Sequence, residues 1–242
     1  MQKTSLFFYY IWRMKKFITV LFISLVAFCD CYAQKYQPRE TWPYVNDEFV
    51  DGAVRTRSGS LIEEAKLNVS VADGSLHYIK DGVIMKIDMS TVYTARIGFD
   101  VFVNVGAKMY RILSEKESGC LLQFMQIDID KMGRVDIGYG ISSSSASAMN
   151  INSLDGLTDT VNYKVEKAMD DKDTGEYLPL IVERFFLIDG KLIPATKQGL
   201  KDYPGIDMNA LDAFVKSNKI KWTKNESLEL LVDFVAAQLA NN

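Results

Sequence analysis

The stretch Leu76-His77-Tyr78-Ile79-Lys80-Asp81-Gly82-Val83-Ile84-Met85-Lys86 sets two short apolar-rich runs on either side of an Asp-Gly pair. Asp-Gly takes the positive φ angles of a two-residue hairpin turn at little cost, so these residues predict a β-hairpin. Ala72-Asp73-Gly74 gives a second turn signal just upstream, and Gly98 and Gly106 punctuate the residues downstream. Between such signals lie eight strand-like segments, at 49–57, 66–71, 75–80, 83–88, 92–97, 100–105, 109–113 and 121–129. Short strands at this spacing imply an antiparallel β-meander folded into a curled sheet, sandwich or barrel.

Beyond residue 130 the pattern changes. Gly138-Tyr139-Gly140-Ile141 followed by Ser142 to Ser145 and Ser147 reads as an exposed loop, and the polar stretch 155–176 as a loop or insertion. An apolar strand is predicted at 180–188, with a turn at Asp189-Gly190-Lys191. Leu211, Phe214 and Val215 mark one amphipathic helix over 207–217, and Leu228, Leu231, Val232, Val235 and Leu239 mark another. Thr223 and Glu226 have the spacing of a capping box at the start of the second, with Trp222 as its hydrophobic staple on Leu228. The expected class is α+β, a β-meander followed by C-terminal helices.

At the N-terminus, Arg13, Lys15 and Lys16 precede an apolar run over 17–28, and small and polar residues lead to Cys31-Tyr32-Ala33. This is the layout of a secretory signal peptide, with cleavage between Ala33 and Gln34 and Met14 as the natural start. Twelve apolar residues span about 18 Å as a helix, short of the roughly 30 Å hydrocarbon core that a permanent span must cross. Lipidation at Cys29 or Cys31 is disfavoured, because Phe28 and Asp30 stand where a small residue belongs. The organisation is thus 1–33 as upstream extension and signal, then one globular domain over 34–242. That domain divides into a β-rich part (45–137), a Ser-rich loop (138–152), a mixed region (153–195) and a helical tail (196–242).

Composition narrows the chemistry. With 48% hydrophobic and 24% charged residues, the 242-residue chain is an ordinary globular sequence, not a disordered or fibrous one. The 28 Lys and Arg and 31 Asp and Glu fall to 24 and 30 once Lys3, Arg13, Lys15, Lys16 and Asp30 leave with the signal, a net charge of −6. That balance excludes the basic footprint of a nucleic-acid binder. Cys120 is then the one remaining thiol, in an apolar strand, and reads as a packing residue. His77, the sole histidine, reads as a strand residue without the partners a triad or zinc site needs.

Carboxylates are the remaining candidates. Asp128-Ile129-Asp130 begins like a calcium loop, but Met132 and Tyr139 occupy ligand positions. Asp128 and Asp130 would lie on one face of the last strand, roughly 7 Å apart, a separation that glycoside hydrolysis tolerates. Asp170-Asp171-Lys172-Asp173-Thr174-Gly175-Glu176 reads as a solvated turn rather than a calcium site. Tyr36, Pro38, Trp42-Pro43-Tyr44 and Phe49 form an aromatic segment suited to covering a sheet edge, or to stacking on a sugar.

Residues 195–200 and Asp212-Ala213-Phe214-Val215-Lys216-Ser217-Asn218-Lys219-Ile220-Lys221-Trp222, with Glu226 and Leu228 and the preceding Phe185-Phe186-Leu187-Ile188-Asp189-Gly190-Lys191, resemble the tail of uncharacterised exported proteins of the Bacteroidota. The resemblance covers about fifty residues, and Ala213 and Trp222 depart from it. It implies a periplasmic or outer-membrane-facing protein and brings no catalytic, cofactor-binding or metal-binding residues. The expected function is an exported, non-catalytic binding or envelope-assembly protein, its partner an envelope protein or a glycan. The alternative is a carboxylate-dependent hydrolase of envelope or environmental glycans.

Overall fold

The computed structural model describes residues 36–132, 135–136, 142–143 and 163–240. The expected signal segment and cleavage between Ala33 and Gln34, with Met14, Cys29 and Cys31, lie outside these residues, as does the Ser-rich stretch apart from Ser142 and Ser143. The chain divides into two compact units, Met1–Tyr36 and Gln37–Asn242, and the described fold belongs to the second.

The strands are β1 (Val50–Thr56), β2 (Leu61–Val69), β3 (Leu76–Lys80), β4 (Val83–Lys86), β5 (Val92–Ile97), β6 (Asp100–Val105), β7 (Lys108–Lys116), β8 (Gly119–Ile127), β9 (Val135–Asp136), β10 (Ser142–Ser143), β11 (Tyr163–Lys164), β12 (Leu180–Ile188) and β13 (Lys191–Pro194). The helices are α1 (Ile129–Met132), α2 (Val165–Asp171), α3 (Lys197–Lys201), α4 (Met208–Ser217) and α5 (Asn225–Ala240). Eleven strands form one curled antiparallel sheet in the order β11-β4-β3-β2-β1-β5-β6-β7-β8-β12-β13, and the C-terminal helices follow it, so the α+β class holds. β9 and β10 pair separately. Ser142 and Ser143 are therefore in a strand pair where a loop was expected.

Turn chemistry accounts for the hairpins. Asp81 and Gly82 have φ of 51° and 73°, and Asp189 and Gly190 have 49° and 74°, so both Asp-Gly pairs place two consecutive residues at positive φ. The predicted 76–80/83–86 hairpin closes with Ile79 opposite Ile84. The simple meander is corrected at one point. β5 lies beside β1 instead of β4, because the 87–91 connection returns across the sheet, with the Ile87 amide on the Leu76 carbonyl and the Arg57 amide on the Thr91 carbonyl.

Cross-strand rows build two cores. In the first, Val54 faces Ala95 and Ala95 faces Phe102, joined by Leu67, Leu76, Met89 and Met109. The curl closes over it where the Met109 amide donates to the Gly74 carbonyl and the Ile127 amide to the Val71 carbonyl. Gly74 permits this approach: its φ is +74°, and a Cβ there would stand 2.8 Å from the Phe124 ring. In the second core, Leu121, Phe186 and Ile193 form a row across β8, β12 and β13. Leu228, Leu231, Val232 and Val235 of α5 cover it with Leu200 and Leu211. Each fully buried aliphatic side chain there contributes about 2 kcal/mol.

Two helix starts behave differently from each other. Asp207 caps α4 by accepting from the amides of Asn209 and Ala210. α5 begins at Asn225, one residue later than a Thr223 cap requires; the Lys224 carbonyl accepts from Ser227 and Leu228, and Asn225 Oδ1 accepts from Arg184 Nε at 2.7 Å. Trp222 does pack into the same cluster as Leu228. The 155–176 loop is corrected in its second half: α2 occupies Val165–Asp171 and buries Ala168. Among the described residues no helix is long and apolar enough to cross a membrane.

Candidate functional site

The aromatic segment covers a strand ladder with its backbone, Tyr44 bridging Ser70 antiparallel with the Val45 amide on the Val69 carbonyl and the Val71 amide on the Pro43 carbonyl. Trp42, Tyr44 and Phe49 are buried against the sheet face that carries Ile84, with Ala168 of α2 on the same cluster. Their rings meet edge-on, at 5.1 Å for Trp42–Tyr44, 5.8 Å for Trp42–Phe49 and 5.1 Å for Tyr44–Phe49. Asn68, wholly buried in β2, holds the segment through four bonds: Oδ1 accepts from the Asn46 and Val69 amides, and Nδ2 donates to the Asn46 and Glu48 carbonyls. The expected cover of a free ladder is met by the backbone over 43–45, whereas the expected sugar platform is corrected, because these rings are buried and Tyr36 alone of the segment's aromatics is exposed.

His77 belongs to the same buried layer. It is 2% exposed, with Nδ1 2.9 Å from Tyr44 Oη and Nε2 2.9 Å from Ser75 Oγ. Ser75 Oγ also donates to Asp73 Oδ1 at 2.6 Å, and Asp73 Oδ2 pairs with Lys86 Nζ at 2.7 Å. Donor logic orders this chain. An ionised carboxylate only accepts, so the Ser75 proton goes to Asp73; Ser75 Oγ must then accept from His77 Nε2–H, leaving Nδ1 to accept from Tyr44.

The electrostatics agree with that ordering. Desolvation by burial drives the His77 pKa from 6.5 down to about 4, against the opposing pull of Asp73, so the ring is neutral. Burial alone would raise the Asp73 carboxyl, but its bonds to Lys86 and Ser75 outweigh burial and hold it below the usual value. Burial foremost, then the Asp73 charge, pushes the Tyr44 hydroxyl well above its ordinary range. Catalysis by a serine–histidine pair needs the imidazole to take the serine proton. Here the imidazole gives one to the serine.

Above this chain lies an open cleft of about 740 Å³ where three turns converge, lined by Asp73, Ser75, Lys86, Asp88, Met89 and Lys108 among others. Its walls repeat one local device. Asp73 Oδ1 accepts from the Ser75 amide and hydroxyl, and Asp88 Oδ1 accepts from the Ser90 amide and hydroxyl at 3.0 and 2.7 Å. Behind the Met89 wall, Asn104 Nδ2 donates to the Met89 and Val92 carbonyls at 2.6 and 2.9 Å, while its buried Oδ1 has no partner among the described residues. Truncation to Ala strands two buried carbonyls but also removes the orphaned oxygen. Asn104→Ala is accordingly expected to cost about 2 kcal/mol, read as a lowered urea midpoint with unchanged m-value.

The other candidates are placed elsewhere. β8 ends at Ile127, so Asp128 and Asp130 do not share a strand face. Asp128 is buried ahead of α1, where Oδ1 accepts from the Lys131 amide and Oδ2 pairs with Lys131 Nζ, each at 3.1 Å, whereas Asp130 lies in the helix. In the 170–176 stretch the Asp171 carbonyl accepts from Thr174, and the Lys172, Thr174 and Gly175 carbonyls accept from Thr41 and Arg39. Among the described residues, no three His, Cys, Asp or Glu side chains are grouped to hold a metal ion. Cys120 is half-buried in β8, and burial followed by the Glu115 charge raises its thiol pKa.

The sequence did hold a signal for the relay. Ser75 directly precedes β3 and His77 is two residues on, a spacing that extended backbone turns to the same side, and Asp-x-Ser is an Asx-turn pattern that brings the carboxylate to that serine. Comparison with protein-family models, with curated proteins and with solved structures gave no match.

Proposed function

We propose that the chain is an exported, non-catalytic binding or envelope-assembly protein that engages its ligand at the cleft above Ser75. One observation carries the reading: in the Tyr44–His77–Ser75–Asp73–Lys86 chain every proton is already committed to a neighbour, converging on the Asp73 carboxylate, so it braces the cleft instead of activating a nucleophile. The rigid Asp-x-Ser turns on two sides of the cleft support a preformed binding surface. The leader-like 1–33 and the Bacteroidota-like tail support export. The carboxylate-hydrolase alternative loses its geometric basis with Asp128 committed to Lys131.

Two measurements test this. Incubated with chromogenic esters, amides and glycosides, the protein is expected to give the same background rate as His77→Gln. Turnover that disappears in His77→Gln or Asp128→Asn would refute the non-catalytic reading. Expressed with a C-terminal tag in a Gram-negative host, the chain is expected in the envelope or medium beginning at Gln34; intact chain confined to the cytosol overturns export.

A further inference from the structure

The charges around the cleft are unequally engaged. Lys86 is neutralised by Asp73 at 2.7 Å. Lys108 is not: its ammonium sits 5.1 Å over the Phe124 ring, which orients the side chain, and among the described residues it forms no ion pair with a carboxylate. Asp88, on another wall, has Oδ1 fixed by Ser90, and among the described residues it forms no ion pair with a cation. The cleft thus presents one uncompensated cation and one uncompensated carboxylate on different turns, with Ile87, Met89 and Ala107 also in its lining.

A simple anion would gain Lys108 but meet the Asp88 carboxylate. A simple cation would gain Asp88 but meet the Lys108 ammonium. A ligand that carries both charges satisfies both groups at once and leaves no like-charge contact unanswered. We infer that the cleft binds a zwitterion with a free ammonium and a free carboxylate, an amino acid or a short peptide, its ammonium on Asp88 and its carboxylate on Lys108. The side chains of such a ligand would lie against Ile87 and Met89, and the volume of about 740 Å³ accommodates a few residues. This assignment rests on the binding reading above and names the chemistry of its ligand.

The test is an NMR titration of the isotope-labelled full chain with alanine, trialanine, N-acetyl-trialanine and trialanine amide. Trialanine, alanine or both are expected to shift amides over 86–90 and 106–108, and blocking either end of trialanine is expected to weaken binding at least about tenfold. Asp88→Asn should remove the penalty for N-acetylation alone, and Lys108→Met the penalty for C-terminal amidation alone. Neither side chain is part of a buried core, so both variants should keep the wild-type spectrum elsewhere. The zwitterion assignment is overturned by equal binding of free and blocked peptides, by binding that ignores both substitutions, or by no shift in the cleft. Release of alanine from trialanine would strike the non-catalytic reading instead, so the two failures are separable.

Discussion

Acidification from pH 6.5 to pH 4 is expected to remove about 3 kcal/mol of folding stability through His77 alone. The folded chain holds this imidazole neutral with a pKa of about 4, while the unfolded chain returns it to 6.5. Within that window the unfolded state binds the extra proton, so stability falls as pH falls. Above 6.5 both states are neutral at this site and its contribution is complete. The shift of about 2.5 units, at about 1.4 kcal/mol each, sets the size. Asp73 acts below that window. Its folded carboxyl is held below the ordinary 3.8, so its contribution is present above that value and is lost as pH drops further. Urea denaturation at a series of pH values reads the slope directly. In His77→Gln the slope between pH 6.5 and 4 should largely vanish, even if the variant is less stable throughout. An unchanged slope in that variant would show that another group carries the acid sensitivity.

The relay behind this expectation was only half legible. Alternation and Gly-containing turns placed strands at 92–97, 100–105 and 180–188 with their observed bounds, because period-two burial and turn chemistry are local. The same local rules said nothing about the return of β5 to β1, which depends on a connection whose Met89 enters the core of distant strands. They also put His77 on a strand without saying which face would be covered. The covering residues, Trp42, Tyr44 and Phe49, lie in a segment that is neither helix nor strand, and no periodicity announces where an irregular segment docks. The short α2 carries Val165, Ala168 and Met169, but over seven residues this is a single repeat of the helical spacing, and Met169 is exposed, too little for a helical pattern to stand out from its polar neighbours. Asp128 failed for a related reason. Its alternation with Asp130 continued the strand pattern of β8 one residue past the point where the side chain turns to bond the Lys131 amide.

Trp42→Ala is expected to be the most damaging single truncation in this layer, at about 3–5 kcal/mol. The indole is 1% exposed, touches two other rings and donates from Nε1 to the Asn46 carbonyl at 3.0 Å, so its removal leaves a large void and takes one of two donors from that carbonyl, which keeps Asn68 Nδ2. Trp42→Phe, which keeps ring packing but loses the donor, should cost clearly less. The truncation also reaches His77. Tyr44 packs on Trp42 at 5.1 Å and on the imidazole at 5.5 Å, so loosening the segment admits water to the ring that burial had made a poor base. The His77 pKa should therefore climb from about 4 back toward 6.5, and the acid-dependent slope of stability should shrink with it. An NMR titration of the imidazole in wild type, Trp42→Phe and Trp42→Ala would follow that climb. If stability falls in Trp42→Ala while the imidazole still titrates near 4, then the Ser75–Asp73 side of the ring, and not the aromatic segment, is what keeps it dry.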